Sequence, residues 1–158
     1  MILVTVGVQL PFKRLIKKTL EIAKINADVD FVIQCGDHQH AELQNVKFIS
    51  SVSEDDFNEL ISKCEFVVSH AGMGTILKAL TLRKKIILVP RLASLNEHRN
   101  NHQIDTLRAF KQKPGIFPCM NVEDLLTIYN ECKFAAPNFQ ESNNEKLREL
   151  RAYLFGLI

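Results

Sequence analysis

The stretch Phe66-Val67-Val68-Ser69-His70-Ala71-Gly72-Met73-Gly74-Thr75-Ile76-Leu77 constrains the fold more than any other part of the chain. An apolar run ends in two closely spaced glycines and continues at helical spacing, which reads as strand, tight turn, helix. Such a junction leaves the first N–H groups of the helix without intrahelical partners and aims the positive end of its dipole beyond the strand. Glycines there are free to take positive φ and let a ligand approach the backbone, so a phosphate or diphosphate is the natural guest.

The rest of the chain repeats the strand-then-helix alternation. Ile2 to Val6 reads as a buried strand and Pro11 to Ile25 as a helix with Pro11 in its first turn. In that helix Leu15, Ile16, Thr19, Leu20, Ile22 and Ala23 fall on the apolar side, and Lys13, Arg14, Lys17, Lys18 and Lys24 supply the wet side. Strands follow at Asp30 to Gln34 and Val46 to Ile49, short and apolar as in a parallel sheet. Ser53 with Asp56 resembles a capping box opening a helix through Ile61, and Glu65 to Ser69 is the strand before the glycine junction. A helix over Thr75 to Leu82, a strand Lys85 to Val89 ended by Pro90, a helix from about Glu97 to Lys111 and a strand Gly115 to Phe117 come next. Asn121 with Asp124 repeats the cap-and-acid pattern for a helix to Cys132.

These elements predict an α/β fold, a single Rossmann-like doubly wound domain with a mainly parallel sheet, whose ligands bind at the carboxyl ends of the strands. The length of 158 residues and the 46% apolar content suit one such domain. Residues 1–133 form it by this reading; 134–158 are a connector and a C-terminal helix, with Leu147, Leu150, Leu154 and Leu157 at helical spacing, that packs on the domain or on a partner.

Composition narrows the ligand. A net charge of +2, no Trp and no interleaving of aromatic with basic residues argue against nucleic acid. The N-terminus carries no basic leader, and its apolar stretch is too short for a signal peptide or a membrane span, so a cytoplasmic location is expected. Cys35, Cys64, Cys119 and Cys132 form no C-x-x-C pair and read as reduced structural thiols. The dinucleotide fingerprint G-x-G-x-x-G and the Walker loop are both missing, since Gly7 stands alone after the first strand and Gly72-Met73-Gly74 follows the fourth.

Three segments should meet at the carboxyl edge: Gly7 to Leu10, His70 to Thr75, and Arg91 to Gln103. The last contains Asn96-Glu97-His98-Arg99-Asn100-Asn101-His102-Gln103, which can offer a carboxylate to ribose or sugar hydroxyls and amides to a base or sugar. Plainer readings stand beside these. The glycine turn can be an ordinary βα connection, and His70 a buried, hydrogen-bonded histidine. His98 and His102, four apart on a helix, have metal-like spacing, and Asp37, His38 and His40 make a second small cluster; neither has a convincing third ligand or a thiolate partner, so no metal is expected. The basic side of the first helix, with Arg83, Lys84 and Lys85, reads as solvated surface or as a face drawn to an anionic membrane leaflet.

Val4-Thr5-Val6-Gly7 with Pro11-Phe12-Lys13-Arg14-Leu15, Ser69-His70-Ala71-Gly72-Met73-Gly74-Thr75-Ile76 and Asn101-His102-Gln103 together resemble the donor-binding half of GT-B glycosyltransferases, over most of residues 1–130. More narrowly, the chain resembles the catalytic subunit of the split dolichol-linked GlcNAc transferase and related bacterial capsular and exopolysaccharide subunits, with the glycosyltransferase family 28 C-terminal domain as the fold. The resemblance implies a UDP-sugar as substrate rather than a bound cofactor. It also implies a membrane-anchored partner subunit that presents a lipid-linked sugar acceptor, inverting transfer, and peripheral association with the inner membrane face through that partner. Carried over, His70, Gly72, Gly74 and Thr75, with Ala71 and Met73 between them, line the diphosphate and sugar site. Glu97, Asn101 and Gln103 contact hydroxyls, and Gly7 allows close approach. Lys78 departs from the pattern, because many relatives have an acidic residue there that holds ribose hydroxyls and a lysine cannot accept those bonds. Either Glu97 takes that role, or Lys78 meets phosphate, or binding is weakened. Glu97 and His98 are the candidates for a catalytic base, unless the partner supplies it. The rival reading is a non-catalytic UDP-binding subunit that stabilises or recruits the true transferase; a third is a free-standing domain using NAD, FMN or ATP.

Overall fold

The computed structural model describes residues 1–7, 10–36, 43–136 and 139. Six strands, β1 (Ile2–Thr5), β2 (Phe31–Gln34), β3 (Val46–Ile49), β4 (Phe66–His70), β5 (Lys85–Val89) and β6 (Ile116–Pro118), form one sheet in the order β3-β2-β1-β4-β5-β6. Every pairing is parallel. Among the described residues five α-helices connect or flank them: α1 (Lys13–Ile25), α2 (Glu54–Lys63), α3 (Met73–Thr81), α4 (His102–Phe110) and α5 (Leu125–Phe134). Strand order reverses between β1 and β4, which are neighbours although far apart in sequence, and the crevice beyond their carboxyl ends is where such sheets bind ligands.

Burial follows from the covering of both sheet faces. All four residues of β1 and β2 and all five of β5 are buried, as continuous Ile, Leu, Val and Phe runs require when helices lie on both sides. Alternate residues feed two cores. Ile2, Val4, Phe31, Ile33, Phe66 and Val68 pack with Leu15, Ile16 and Ile22 of α1 and with Leu125 and Tyr129 of α5. Leu3, Val67, Ile86 and Leu88 pack with Ile61 of α2, Ile76 and Ala79 of α3 and Leu107 of α4. The edge strands read differently: β3 is only half-buried, and β6 carries Pro118, tolerated where one side of the ladder is unpaired.

The apolar side of α1 is as the periodicity has it, with Leu15, Ile16, Thr19, Ile22 and Ala23 buried. The expected Ser53 cap is present: its hydroxyl accepts from the Asp56 N–H at 3.1 Å. Four expectations need correction. Pro11 lies outside α1, which begins at Lys13 after the non-helical Phe12 (φ −132°), because the Phe12 ring is drawn into the core. Arg14 does not belong to the wet side and forms an ion pair described below. The helix expected from Glu97 starts only at His102; a 3-10 turn forms earlier, at Ala93–Leu95, and irregular backbone takes the place of the expected first turns. Finally, Lys84 and Lys85 are not a solvated basic patch. Lys85 is 8% exposed, and its Nζ donates to the carbonyls of Cys132 (2.6 Å) and Ala135 (3.1 Å) at the end of α5. The Lys84 ammonium does the same for the Cys64 carbonyl (2.7 Å) at the end of α2. Cations satisfy carbonyls that helix C-termini leave open and complement the dipole.

All four cysteines are buried, and burial raises each thiol above its ordinary pKa, to about 11 for Cys64 and about 12 for Cys119 and Cys132. No helix among the described residues is long and apolar enough to cross a membrane. The expected C-terminal helix and the Asp37, His38 and His40 cluster lie outside the described residues.

Substituting Lys85→Met keeps the aliphatic stem but removes the charge that ties α5 to the start of β5. The expected loss is about 1–3 kcal/mol, the usual scale for charged hydrogen bonds to buried carbonyls. It is read as a lower urea midpoint with an unchanged slope.

Candidate functional site

Gly7 and His70 face each other across the strand-order reversal. Gly7, two residues beyond β1, sits at φ +74°, a left-handed conformation suited to glycine, and a side chain there would meet the His70 ring at 3.1 Å. Gly72 serves the same ring from the other side. A Cβ at Gly72 would collide with His70 Nε2, so only glycine permits the imidazole to fold back under the turn. Its φ of −94° is ordinary. The glycine pair is therefore not there for positive φ, contrary to the first reading; Gly72 admits the His70 ring, and Gly74 has nothing within 4 Å of where its Cβ would be.

Open space at Gly74 lies beside the start of α3. The first helical bond there runs from the Ile76 N–H to the Gly72 carbonyl at 3.2 Å, and no side chain caps the turn. The N–H groups of Met73, Gly74 and Thr75 thus face outward, whereas α2 satisfies its own start with Ser53. Met73 and Gly74 are exposed, Thr75 half-buried and Ala71 buried, so Ala71 anchors the turn in the core while its neighbours line the opening.

Behind the crevice stands Arg91, which is 2% exposed. Its Nη1 donates to the carbonyls of Pro11 (2.6 Å) and Glu97 (3.3 Å), and its Nη2 to those of Val6 (2.7 Å) and Leu10 (2.5 Å). One guanidinium thereby joins the loop after β1 to the loop after β5, and it also lies over the Phe12 ring at 4.7 Å. Arg14 reinforces the junction through the Pro90 carbonyl (2.6 Å) and a two-pronged pair with Glu97, Nε to Oε1 at 2.7 Å and Nη2 to Oε2 at 2.9 Å. Burial pulls the Arg91 guanidinium below its ordinary pKa and Glu97 opposes this. Two guanidiniums against one carboxylate leave one net positive charge behind the crevice, a field that favours an anion.

The polar residues expected to meet sugar hydroxyls are largely engaged within the protein. Both Glu97 oxygens are held by Arg14, and Oε2 also accepts the Leu92 N–H at 3.0 Å. Gln103 is buried and its Oε1 accepts the Arg91 N–H (3.0 Å), while Asn101 Oδ1 accepts the Ala93 N–H (3.1 Å). These three side chains shape the loop after β5. His98 precedes α4 rather than sharing a helix with His102, so the metal-like spacing dissolves. Lys78 is turned to α2, with Nζ 3.0 Å from Glu54 Oε1 and 5.5 Å from the Phe57 ring centre. Arg14 and Arg91 were missed as site residues; the one signal was an arginine placed directly after the strand-ending Pro90.

Burial pushes the His70 imidazole down to about 4, helped by the nearby Arg91 charge and opposed by a hydrogen bond to the Thr5 backbone. At neutral pH it is an uncharged ring that can give or take one hydrogen bond at the crevice.

A parallel sheet of this order, with an open helix start at its reversal point, defines a Rossmann-like domain of the kind that forms the C-terminal halves of GT-B proteins. The model of the glycosyltransferase family 28 C-terminal domain matches residues 1–116, and the chain belongs to that family. The NMR solution structure of ALG13 superposes with a TM-score of 0.64 at 21% identity, covering 94% of this chain and 93% of that one. The glycotransferase of kitacinnamycin (TM-score 0.62, 17% identity) and the Methanocaldococcus jannaschii UDP-GlcNAc 2-epimerase, solved with UDP-GlcNAc and UDP (0.62, 17%), match 99% and 98% of this chain. The chain spans only 40% and 45% of those two proteins. No curated protein sequence matches it significantly.

Because the His70 pKa is depressed in the fold, the unfolded chain takes up the proton first. Stability attributable to His70 is full above pH 6.5, falls as pH drops from 6.5 towards 4, and levels off below, by up to about 3 kcal/mol. The difference between the stability curves of the protein and a His70→Gln variant, followed by urea unfolding from pH 8 to 3.5, should show that step.

Proposed function

We propose that this chain is the donor-binding part of a UDP-sugar-dependent glycosyltransferase, holding the diphosphate of the donor at the start of α3. The observation that carries the reading is the uncapped Met73, Gly74 and Thr75 backbone beside the open space at Gly74, set at the β1/β4 reversal with a net positive charge behind it. As the bond from sugar to UDP breaks, negative charge grows on the leaving diphosphate, and fixed N–H dipoles stabilise it more in the transition state than in the substrate. Family membership supports the transferase class, and the UDP-complexed epimerase neighbour supports the choice of nucleotide. The resemblance of the Gly7, Ser69–Thr75 and Asn101–Gln103 segments to split transferases supports a separate, membrane-anchored partner that carries the acceptor side and a lipid-linked acceptor; ALG13 matches this chain nearly end to end in fold. Transfer with inversion on the cytoplasmic membrane face, in polysaccharide or glycolipid synthesis, completes the proposal.

One observation favours the rival, a UDP-binding subunit that activates another transferase. Glu97 is saturated by Arg14 and the Leu92 N–H, and the half-buried His70 ring is a weak base, its pKa pushed down to about 4. A base for the acceptor hydroxyl then comes from the partner, with His98 the remaining candidate on this chain. Reconstituting the chain with its partner separates the two: sugar transfer that fails on blocking the α3 cradle, with the complex intact, supports the enzyme, and unchanged transfer sinks it. Titration with UDP, UDP-sugars, NAD, FMN and ATP tests the nucleotide class, and preference for a dinucleotide over UDP overturns it.

Gly74→Ala gives the cleanest block. Alanine is the better helix former by roughly 0.5–1 kcal/mol, so Tm should hold or rise. The methyl group fills the space in front of the uncapped N–H groups, so UDP affinity should fall about tenfold or more, the cost of one or two charged hydrogen bonds. Calorimetric titration beside a thermal melt reads both; an unchanged affinity contradicts the cradle.

A further inference from the structure

Polar side chains break the apolar run of the three central strands only where those strands approach the crevice. Gln34 and Thr5 are the last residues of β2 and β1, Ser69 is the last but one of β4, and Thr5 pairs in register with both of the others. All three are buried. The hydrogen bonds of the first two run in one direction. Gln34 donates from Nε2 to the Ser50 carbonyl (3.2 Å), which leaves its Oε1 to accept from Thr5 Oγ (2.8 Å). The Thr5 oxygen in turn accepts the Gly7 N–H at 3.4 Å.

Thr5 therefore stands behind two groups of the crevice at once. Its hydroxyl holds Gly7, and its backbone carbonyl accepts from the His70 ring, whose Nδ1 also lies 3.4 Å from Ser69 Oγ. The ring has little room to move, since it fills the space where Cβ atoms at Gly7 and Gly72 would be, and Gly72 is the residue from which α3 starts. Where the ring stands thus decides where the Met73, Gly74 and Thr75 N–H groups point. The sheet itself does not require this pair: replacing both partners of a buried hydrogen bond by apolar groups of similar shape is close to neutral for folding. What the polar pair alone supplies is the hold on Gly7.

We propose that Gln34 and Thr5 are positioning residues of the diphosphate cradle: Gln34 orients the Thr5 hydroxyl, Thr5 fixes Gly7, and Thr5 and Gly7 together fix the His70 ring on which the start of α3 rests. The assignment rests on the UDP-sugar reading above for its ligand. Both side chains are buried and act on that ligand only through Gly7 and His70. Arg91 holds the same loop through the Val6, Leu10 and Pro11 carbonyls. The loop after β1 is thereby held from β2 on one side and from the end of β5 on the other.

The double variant Thr5→Val with Gln34→Met tests this, because it removes the bonds without leaving either side chain of the pair unsatisfied. Ser50 is exposed and Gly7 half-exposed, so both can turn to water, and the urea midpoint should stay near that of the unaltered protein. UDP affinity by calorimetric titration should nevertheless fall about tenfold, the scale of one or two misplaced hydrogen bonds. The NMR titration midpoint of His70, held down at about 4 chiefly by burial, should move up towards its ordinary 6.5 as the ring loses its fixed place. Thr5→Val alone should show both changes with a lower urea midpoint, since it strands Gln34 Oε1, whereas Thr5→Ser keeps the hydroxyl and should restore both. A folded double or Thr5→Val variant that binds UDP as the unaltered protein does, or whose His70 titrates as before, overturns the positioning role and leaves the UDP reading standing. Failure of the unaltered protein to bind UDP overturns that reading and, with it, the positioning of a diphosphate cradle.

Discussion

The guanidinium of Arg91 holds the site together. Four carbonyls, from Val6, Leu10, Pro11 and Glu97, converge on one buried cation, and two loops that the sheet alone would leave independent become a single wall. A charge so buried is tolerable only because both terminal nitrogens are used on carbonyls and Glu97 stands near to offset it. Arg14, Glu97 and Gln103 lock the same wall from its outer side. Gly7, fixed just beyond β1, then presents its bare backbone to His70, and His70 in turn underlies Gly72. The opening at α3 is thus bounded by a chain of contacts running from Arg91 through the loop after β1 to the turn after β4.

Much of the fold was legible because it depends on local pattern. Six apolar runs separated by helix-period segments implied the parallel sheet, and Leu15, Ile16, Ile22 and Ala23 marked the buried side of α1 without any knowledge of their partners. The Ser53 cap was legible for the same reason, since donor and acceptor lie three residues apart. The start of α4 was not. Glu97 looks helical by composition, but its carboxylate binds the Leu92 N–H and Arg14, and Asn101 takes the Ala93 N–H, so these side chains stabilise a loop at the expense of the first helical turns.

The candidate site was legible in position and much less so in its chemistry. The junction at Gly72 could be placed from sequence, but its physical use could not, because the atom that requires glycine is on His70 folding back beneath the turn. Arg91 meets Val6 across 85 positions of sequence, a separation that no periodicity reports. Lys84 and Lys85 looked like surface for the same reason: the helix ends they cap lie 20 and up to 50 residues away. Long charged side chains are ambiguous in sequence, since their stems reach across an element and their heads find carbonyls that only the assembled fold brings near.

The central claim is that an anionic diphosphate sits on the uncapped backbone of α3 at the β1/β4 reversal. Backbone amide chemical shifts recorded while UDP is added test it most directly, because they report on the N–H groups themselves. Saturable shifts should be largest at Gly72, Met73, Gly74 and Thr75 and should extend to Gly7 across the crevice. Saturable binding that leaves those amides unmoved and shifts residues at the opposite edge of the sheet would contradict the account.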